Sequence, residues 1–406
     1  MPHPLKVMVI FGTRPEIIKL APVIQALRAL PPEFQVSLLL TAQHREMADQ
    51  MLSVFDLHPD YDLDLMRHGQ SLADLTAAVV RGVQEVLQRS SADLVLVQGD
   101  TVTVFASALA AFYEQIPVGH VEAGLRTRNK YDPFPEEMMR RLTAPLADLH
   151  FAPTEAAALN LLQEGIPQER IFVTGNTVID ALLQVASQER PLSPWLPWEM
   201  IRRHRLLLVT AHRRENWGQP LRQICLALRE LAQRFEDVFI LYAAHPNPLI
   251  RQVAQEVLGG VPRVCVLDPP DYVDFVNLMK RATLILTDSG GLQEEAPSLG
   301  VPVLVLRRTT ERPEGLAAGT ARLVGVETEA IVAAASELLT DSEAYRRMAQ
   351  AVNPYGDGRA AERIVEAILY AFGRRSTPPP PFQPNRSSSP LVEPVKFVHR
   401  SESANG

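Results

Sequence analysis

Two carboxylates stand directly after apolar runs that are typical of buried parallel strands. Leu94–Gln98 leads into Asp100, and Val118–Val121 leads into Glu122. Parallel strands of one sheet end at the same edge, where open α/β folds bind ligands, so both acids are expected there. A single acid at a strand end is as often a helix cap. Two that converge favour general acid and base chemistry, with Glu136, at the start of a predicted helix, as a third candidate.

Two histidines follow apolar runs in the second half of the chain, His212 after Leu206–Thr210 and His245 after Val238–Ala243. Each histidine alone could be structural. Four arginines also follow predicted strands, and together these side chains supply the local positive charge that an acidic chain needs to bind a diphosphate. The arginines concerned are Arg213, Arg214, Arg307 and Arg312.

A strand-to-helix junction near the N-terminus is a candidate anion site. Gly12 permits a tight turn after the first apolar run, and Pro15 suits the first turn of a helix. Arg14 therefore stands where backbone N–H groups and the helix dipole favour an anion. An ordinary turn with a surface arginine is the alternative.

A second junction carries the stronger phosphate signal. Ser289, Gly290 and Gly291 directly follow the apolar run Thr283–Asp288. Two adjacent glycines would let a diphosphate approach the main chain closely, and the serine can donate a hydrogen bond or cap the helix. Glu295, about one turn into that helix, could accept hydrogen bonds from ribose hydroxyls.

Short apolar runs alternate with amphipathic stretches, a rhythm typical of a parallel sheet covered by helices on both faces. The rhythm restarts at Leu206, so we expect an α/β fold with two doubly wound domains facing a cleft. The predicted strands are Lys6–Phe11, Val36–Leu40, Leu94–Gln98, Val118–Val121, Leu206–Thr210, Val238–Ala243, Val264–Leu267, Leu284–Thr287 and Val303–Leu306. The predicted helices include Pro15–Leu30, Ser71–Arg89 and Thr103–Gln115.

Composition shifts predict two domains and a tail. Turn residues cluster in Ser187–Pro197, and we place the linker near Gly175–Pro197, between an N-terminal domain over 1–176 and a C-terminal domain over 177–359. From Ser376 to Gly406 prolines and serines dominate and apolar residues are few. Such a segment buries too little surface to offset the entropy of ordering, so 376–406 is expected to be a disordered tail.

The overall composition excludes several classes of protein. A net charge of −7 argues against binding to nucleic acid or to a membrane surface. The two cysteines, Cys225 and Cys265, have no metal-binding spacing, so neither a disulfide scaffold nor a metal site is expected. No signal peptide and no membrane-length apolar run is recognisable, which predicts a cytoplasmic protein. HExxH, P-loop and GxGxxG motifs are absent from the sequence, which weighs against metal hydrolases, NTPases and dinucleotide oxidoreductases.

Taken together, the motifs resemble those of the bacterial non-hydrolysing UDP-N-acetylglucosamine (UDP-GlcNAc) 2-epimerases. The resemblance runs through roughly residues 5–370 in the order that the family shows. The motifs are Phe11–Glu16 (FGTRPE), Thr41–Glu46 (TAQHRE), Gly99–Thr101 (GDT), Gly119–Thr127 (GHVEAGLRT), Pro135–Glu137 (PEE), Gly175–Asp180 (GNTVID), His212–Glu215 (HRRE), Thr287–Pro297 (TDSGGLQEEAP), Thr309–Glu314 (TTERPE) and Asn353–Gly358 (NPYGDG).

The resemblance implies a set of site residues. The family's catalytic residues correspond to Asp100, Glu122, Glu136 and His212. Its nucleotide contacts correspond to Arg14, Lys19, Phe275, Ser289, Gly290, Gly291, Glu295 and Arg312, with His245 near the site. A regulatory UDP-GlcNAc site in many members corresponds to Gln43, Glu46 and Gln70, although Glu46 replaces a glutamine of some regulated members.

The resemblance also implies architecture and chemistry. The fold is similar to that of GT-B glycosyltransferases, with the active site between the domains and a last helix, at about 360–373, that crosses back onto the first domain. The family interconverts UDP-GlcNAc and UDP-N-acetylmannosamine (UDP-ManNAc). Its reaction eliminates UDP to give 2-acetamidoglucal and then adds UDP back. The product supplies cell-surface polysaccharide synthesis. Neither a redox cofactor nor a metal is implied, and a homodimer is expected.

Three alternatives stay open on the sequence alone. A GT-B glycosyltransferase of another class would share the nucleotide site but need an acceptor. A nucleotide-sugar sensor would bind without turnover, and a hydrolysing epimerase would release free N-acetylmannosamine. Pro270 and Arg308 stand where relatives often have glutamine and aspartate, and the tail has no family counterpart.

Overall fold

The computed structural model describes residues 3–41, 45–65, 69–188 and 193–384, with 45–47 described by their backbone alone. The chain forms two compact units: one holds residues up to Val185 together with Tyr355–Pro384, and the other holds Ala186–Pro354. Both are α/β, as the sequence predicts. In the described ranges no helix is long and apolar enough to cross a membrane.

The first unit is built on a seven-stranded parallel sheet with the order β3-β2-β1-β4-β5-β6-β7. Its strands are β1 (Leu5–Phe11), β2 (Phe34–Leu40), β3 (Tyr61–Asp62), β4 (Leu94–Gln98), β5 (Val118–Val121), β6 (Leu149–Ala152) and β7 (Ile171–Val173). Its helices up to this point are α1 (Arg14–Arg28), α2 (Arg45–Phe55), α3 (Leu72–Ser90), α4 (Val102–Tyr113), α5 (Glu136–Thr143), α6 (Glu155–Gln163) and α7 (Thr177–Ser187). The strand order reverses between β1 and β4, which places the residues that follow them at the ligand-binding edge of the sheet.

The second unit repeats this plan with a six-stranded parallel sheet in the order β10-β9-β8-β11-β12-β13, reversing between β8 and β11. Its strands are β8 (Arg205–Thr210), β9 (Val238–Ala243), β10 (Val264–Leu267), β11 (Ala282–Thr287), β12 (Val303–Val305) and β13 (Ala321–Leu323). Its helices are α8 (Trp198–Arg203), α9 (Gln219–Arg234), α10 (Pro248–Leu258), α11 (Tyr272–Arg281), α12 (Gly290–Glu295), α13 (Pro313–Ala318), α14 (Thr328–Thr340) and α15 (Ser342–Ala349). The prediction of two doubly wound α/β domains is confirmed.

Helices cover both faces of each sheet, which explains why the strands are continuous apolar runs rather than alternating ones. All five residues of β4 are buried, as are all six of β9 and all six of β11. This burial fixes the strand ends in place, because a strand buried on both faces cannot slip in register without exposing apolar surface.

The chain returns to the first unit through α16 (Ala360–Ala371), which packs against α1. Its N-terminal N–H groups, on Ala360 and Ala361, donate to the Asp180 carboxylate of α7 at 3.2 and 2.8 Å. This contact holds most of α7 in the first unit, so the unit boundary lies after Val185 rather than at the predicted residue 176.

The segment Arg374–Pro384, which we call the C-terminal strap, also belongs to the first unit. The Arg374 guanidinium donates to the His3 carbonyl at 2.5 Å and to Glu33 at 3.0 Å, and Phe382 is only 5% exposed. The structure therefore differs from the prediction of disorder from Ser376 onward, because one buried aromatic and backbone pairing hold residues 376–384. Residues 385–406 of the predicted tail lie outside the described residues.

Gly124 is expected to be required for folding of the turn that follows β5. Its φ is +92°, and a Cβ there would lie 2.2 Å from the Ala157 carbonyl oxygen of α6. We expect Gly124→Ala to lower the free energy of unfolding by about 3 kcal/mol or more, since strain and a backbone clash combine. Gly165→Ala is the control, because Gly165 has a φ of +86° with nothing within 4 Å. Its cost should be about 1–2 kcal/mol, and equal costs in urea denaturation would contradict the clash.

Candidate active site

Glu122 is the centre of a polar cluster at the carboxyl edge of the first sheet. It directly follows β5 in the left-handed region, with a φ of +63°, a strained conformation that is common at functional sites. The Lys19 ammonium of α1 lies 2.6 Å from both carboxylate oxygens. Gln98, the last residue of β4, and Asn176, just before α7, donate side-chain N–H groups to the same carboxylate, the latter at 3.1 Å. We call Glu122, Lys19, Gln98 and Asn176 the Glu122 cluster.

The carboxylate of the Glu122 cluster is 7% exposed, so its charge must be compensated by the protein. One cation and two amides do this and fix its orientation. The resemblance implies that Lys19 contacts the nucleotide, and in the structure its ammonium pairs with Glu122.

Asp100 follows the neighbouring strand β4, as the sequence predicts, and pairs with the Arg140 guanidinium of α5. Burial raises the pKa of Asp100 above its usual value, and Arg140 opposes this shift. Behind it, Nε2 of His120 lies 2.7 Å from the Gly99 carbonyl oxygen and donates to it. Burial lowers the pKa of His120 to about 4, so the ring is neutral near pH 7.

The junction between β1 and α1 differs from the expected anion site. The Glu16 carboxylate accepts hydrogen bonds from the backbone N–H groups of Gly12 at 2.5 Å and Thr13 at 3.0 Å, and from the Thr101 hydroxyl at 2.6 Å. Burial raises the pKa of Glu16 to about 6. Two backbone donors at this junction are thus used by the protein itself, while the side chain of Arg14 is exposed.

Two adjacent acids at the start of α5 have different surroundings. Glu137 is fully buried and accepts hydrogen bonds from the backbone N–H groups of Thr127 at 3.0 Å and Arg128 at 3.2 Å. It therefore fixes the loop after β5. Glu136, the predicted catalytic residue, is half-buried at the first position of α5.

In the second unit a buried carboxylate, Asp288, organises the residues after β8. It is fully buried, and its Oδ2 accepts hydrogen bonds from the backbone N–H groups of His212 at 2.8 Å and Arg213 at 2.9 Å, and from the Asn216 amide at 2.9 Å. Its other oxygen lies 3.4 Å from Nδ1 of His212. Because Asp288 faces Nδ1, the second ring nitrogen, Nε2, is directed away from this carboxylate and can meet a ligand.

The two histidines predicted near the ligand do come together. The rings of His212 and His245 are stacked with centroids 6.1 Å apart and planes 17° apart. Burial lowers the pKa of His212, His245 and Arg213 add to this effect, and Asp288 opposes it. The His212 imidazole is therefore neutral near pH 7 when no anion is bound.

Gly290 begins α12, and two guanidinium groups converge on it. A Cβ at Gly290 would lie 3.8 Å from the nearest side-chain atoms of Arg213 and Arg312. Arg312 is held by Glu294, whose side chain is 4% exposed. The first N–H groups of a helix have no intrahelical partner, so the start of α12 combines backbone donors with two cations, an arrangement suited to a diphosphate.

The other predicted residues have less distinctive surroundings. Phe275 on α11, Glu295 on α12 and Gln70 before α3 are half-buried. Gln43 and the side chain of Glu46 lie outside the described residues. Across the described part of the chain, no group of three or more His, Cys, Asp or Glu side chains is arranged to hold a metal ion.

Sequence reasoning missed the residues that hold the catalytic candidates. Gln98 ends the run that forms β4, Asp288 ends the run that precedes the glycine pair, and Asn176 belongs to a motif already singled out. A polar residue at the end of a buried strand was the available signal for the first two. Nothing in the local pattern marks Arg140 as the partner of Asp100.

Comparison with known proteins gives matches over nearly the whole chain. A family model described as UDP-N-acetylglucosamine 2-epimerase matches residues 25–369. The UDP-N-acetylglucosamine 2-epimerase of Bacillus subtilis is 50% identical over 378 residues, covering 93% of this chain and 98% of that protein.

Solved structures agree with these matches. The crystal structure of a putative UDP-N-acetylglucosamine 2-epimerase from Listeria monocytogenes has a TM-score of 0.89 at 50% identity, covering 94% of this chain and 100% of that one. The UDP-GlcNAc 2-epimerase of Neisseria meningitidis, bound to UDP-GlcNAc, has a TM-score of 0.80 at 47% identity, covering 90% and 100%. Each likeness extends over both units.

The pKa of His212 is expected to depend on Asp288. Replacing Asp288 with asparagine removes the charge that raises this pKa, so the Asp288→Asn variant should titrate at lower pH than the wild type. Histidine NMR titration measures the effect, with His212→Asn to identify the resonance. Asp341→Asn, at the exposed start of α15, is the control and should change nothing. An unchanged or raised His212 pKa in Asp288→Asn would show that Asp288 does not act on the ring.

Proposed function

Because the chain belongs to the UDP-N-acetylglucosamine 2-epimerase family, we propose that it interconverts UDP-GlcNAc and UDP-ManNAc without a redox cofactor. The observation that carries this proposal is the pair of carboxylates at adjacent strand ends, Asp100 paired with Arg140 and Glu122 paired with Lys19. The similar Neisseria protein was solved with UDP-GlcNAc bound, which supports the choice of substrate.

Epimerisation at C2 of this sugar is difficult because the C2 proton is not next to a carbonyl group. The difficulty is removed if the anomeric C–O bond breaks as the proton leaves. A base takes the C2 proton, the C–H electron pair forms the C1–C2 double bond, and the C1–O pair leaves with UDP. UDP then adds back to the neutral 2-acetamidoglucal while C2 is protonated from the opposite face. The reaction therefore needs proton-transfer groups for two faces and a site that holds UDP.

Residues of the first unit suit the proton transfers. Glu122 is oriented by three donors, and Asp100, with its pKa raised by burial, can change protonation state more readily than an exposed aspartate. Glu136, half-buried at the first position of α5, is the third candidate. We propose these carboxylates as the groups that act on the sugar.

Residues of the second unit suit the diphosphate. Arg213, Arg312 and the start of α12 at Gly290 supply donors and positive charge. A bound diphosphate would raise the pKa of His212 and let its Nε2 donate a hydrogen bond to the departing oxygen, with Asp288 holding the other nitrogen. We propose that the exposed Arg14 also contacts the diphosphate, and that Phe275, Ser289, Gly291, Glu295 and His245 line the nucleotide site.

Further properties stay predictions drawn from the family. These are a cytoplasmic location, a homodimer, the supply of N-acetylmannosamine units for cell-surface polysaccharide, and a regulatory UDP-GlcNAc site that includes Gln70.

Turnover of UDP-GlcNAc in D2O, with no acceptor present, tests the proposed function by proton NMR. We expect UDP-ManNAc to form and deuterium to enter C2 of both UDP-sugars. Glu122→Gln should lose most turnover but bind UDP as the wild type does, because Glu122 acts on the sugar. The control is Glu155→Gln, an exposed carboxylate on α6, which should keep full turnover.

Other outcomes of this assay would overturn the proposal. UDP-GlcNAc bound but unchanged would indicate a sensor or a transferase awaiting an acceptor. Free N-acetylmannosamine as the product would indicate a hydrolysing enzyme. Epimerisation without deuterium at C2 would contradict the elimination route.

Gly290 is expected to be needed for ligand binding and not for folding. A Cβ there meets only ordinary contacts at 3.8 Å, and replacing glycine with alanine at a compatible φ stabilises a protein by about 0.4–1 kcal/mol, because the unfolded chain loses conformational freedom. We therefore expect Gly290→Ala to keep or raise the melting temperature while UDP affinity, measured by calorimetry, falls about tenfold because the methyl group blocks the phosphate. If Gly290→Ala bound UDP as tightly as the wild type, the start of α12 would not be part of the nucleotide site.

A further inference from the structure

The C-terminal strap covers an edge of the first sheet. The Phe382 N–H donates to the Val173 carbonyl oxygen, the last of the edge strand β7, at 2.8 Å. The Phe382 side chain is 5% exposed although the surrounding sequence is rich in proline and serine. A single buried aromatic in an otherwise polar segment therefore fixes the strap at this point.

The ring of Phe382 lies over the turn 174–176. A Cβ at Gly175, whose φ is +86°, would lie 3.5 Å from Cγ of Phe382. The Arg363 guanidinium of α16 lies 5.5 Å from the centre of the Phe382 ring and donates to the Thr174 carbonyl at 3.1 Å. The aromatic ring and the guanidinium therefore pack on the same turn.

This turn carries Asn176, a member of the Glu122 cluster. The Asn176 backbone N–H donates to the Tyr355 carbonyl at 2.7 Å, and its side-chain oxygen accepts from the Val178 N–H at 3.1 Å. With the oxygen fixed, the amide nitrogen is directed at Glu122, to which it donates at 3.1 Å. The position of the turn thus sets the position of one donor to Glu122.

We propose that Phe382 is a positioning residue for the reaction: by packing on the turn 174–176 it holds the Asn176 amide on the carboxylate of Glu122. The proposal rests on the proposed function in that Glu122 acts on the sugar. Without the ring, the glycine-containing turn gains freedom, the Asn176 hydrogen bond weakens, and Glu122 keeps only Lys19 and Gln98 of the cluster to orient it. The strap would then affect turnover and not the binding of UDP.

A double-mutant cycle on the full chain tests this proposal. We expect Phe382→Ala to lower kcat about three- to tenfold, the effect of weakening one hydrogen bond, with UDP affinity unchanged. Since Phe382 acts through Asn176, the double variant Phe382→Ala/Asn176→Ala should be no slower than Asn176→Ala alone. Both single variants should shift the pH profile of kcat in the same direction. Phe382→Leu, which refills part of the space, should restore part of kcat.

Two truncations provide the matched control. Removing residues 385–406 leaves Phe382 in place and should keep kcat, whereas removing 376–406 should reproduce Phe382→Ala. Rates are compared well below the melting temperature of every variant, so that loss of folded protein is not read as loss of kcat.

Several results would overturn the proposal. Multiplicative effects of Phe382→Ala and Asn176→Ala would show that the two residues act independently. A lowered melting temperature with wild-type kcat and pH profile would show that Phe382 only stabilises the fold. An inactive wild type would overturn the proposed function instead. The effect of Phe382 on Asn176 would then be tested by the NMR signals of the Asn176 side chain. Those signals should shift in Phe382→Ala, and unchanged signals would contradict the contact.

Discussion

The buried charge of Glu122 is the constraint on which the ligand-binding edge of the first unit depends. A carboxylate that is 7% exposed must be compensated by nearby donors, or its burial would cost several kcal/mol. The donors come from three separate elements: Lys19 from α1, Gln98 from the end of β4 and Asn176 from the turn before α7. The position of each element is thereby tied to one side chain, and the strained backbone of Glu122 is tolerated because these contacts hold it.

The second unit also has a buried carboxylate whose charge must be compensated, that of Asp288. Asp288 is fully buried at the end of β11 and accepts hydrogen bonds from two backbone N–H groups and one amide after β8. In both units a buried carboxylate at a strand end joins neighbouring segments at the carboxyl edge of the sheet. Glu122 is itself a candidate for chemistry, whereas Asp288 acts by orienting His212.

The two strand-to-helix junctions, before α1 and before α12, differ in the donors that they offer to an anion. Glu16 accepts hydrogen bonds from the backbone N–H groups of Gly12 and Thr13 just before α1, so these two donors bind the protein's own carboxylate. At the start of α12, the guanidinium groups of Arg213 and Arg312 both lie close to Gly290. Both junctions have the order strand, glycine and helix, but a carboxylate accepts the backbone donors at the first, whereas two guanidinium groups lie beside the second.

The sequence by itself determined the secondary structure and the polar residues at strand ends. Four predicted strands, Leu94–Gln98, Val118–Val121, Val238–Ala243 and Val264–Leu267, have the bounds found in the structure. Strands buried on both faces can be recognised in the sequence because nearly all of their residues are apolar. The strands β3, β6, β7 and β13 were not predicted, and three of them, β3, β7 and β13, have only two or three residues, too few to show a pattern.

Only the tertiary structure decided which side chains meet. The partners of Glu122 lie 103, 24 and 54 residues away in sequence, and no local periodicity encodes such pairs. The strap shows the same limit. Its composition predicts disorder, but Phe382 finds a buried position on a turn that is distant in sequence. Local pattern records what each segment can form alone, whereas contacts between distant segments exist only once the sheets and helices have packed.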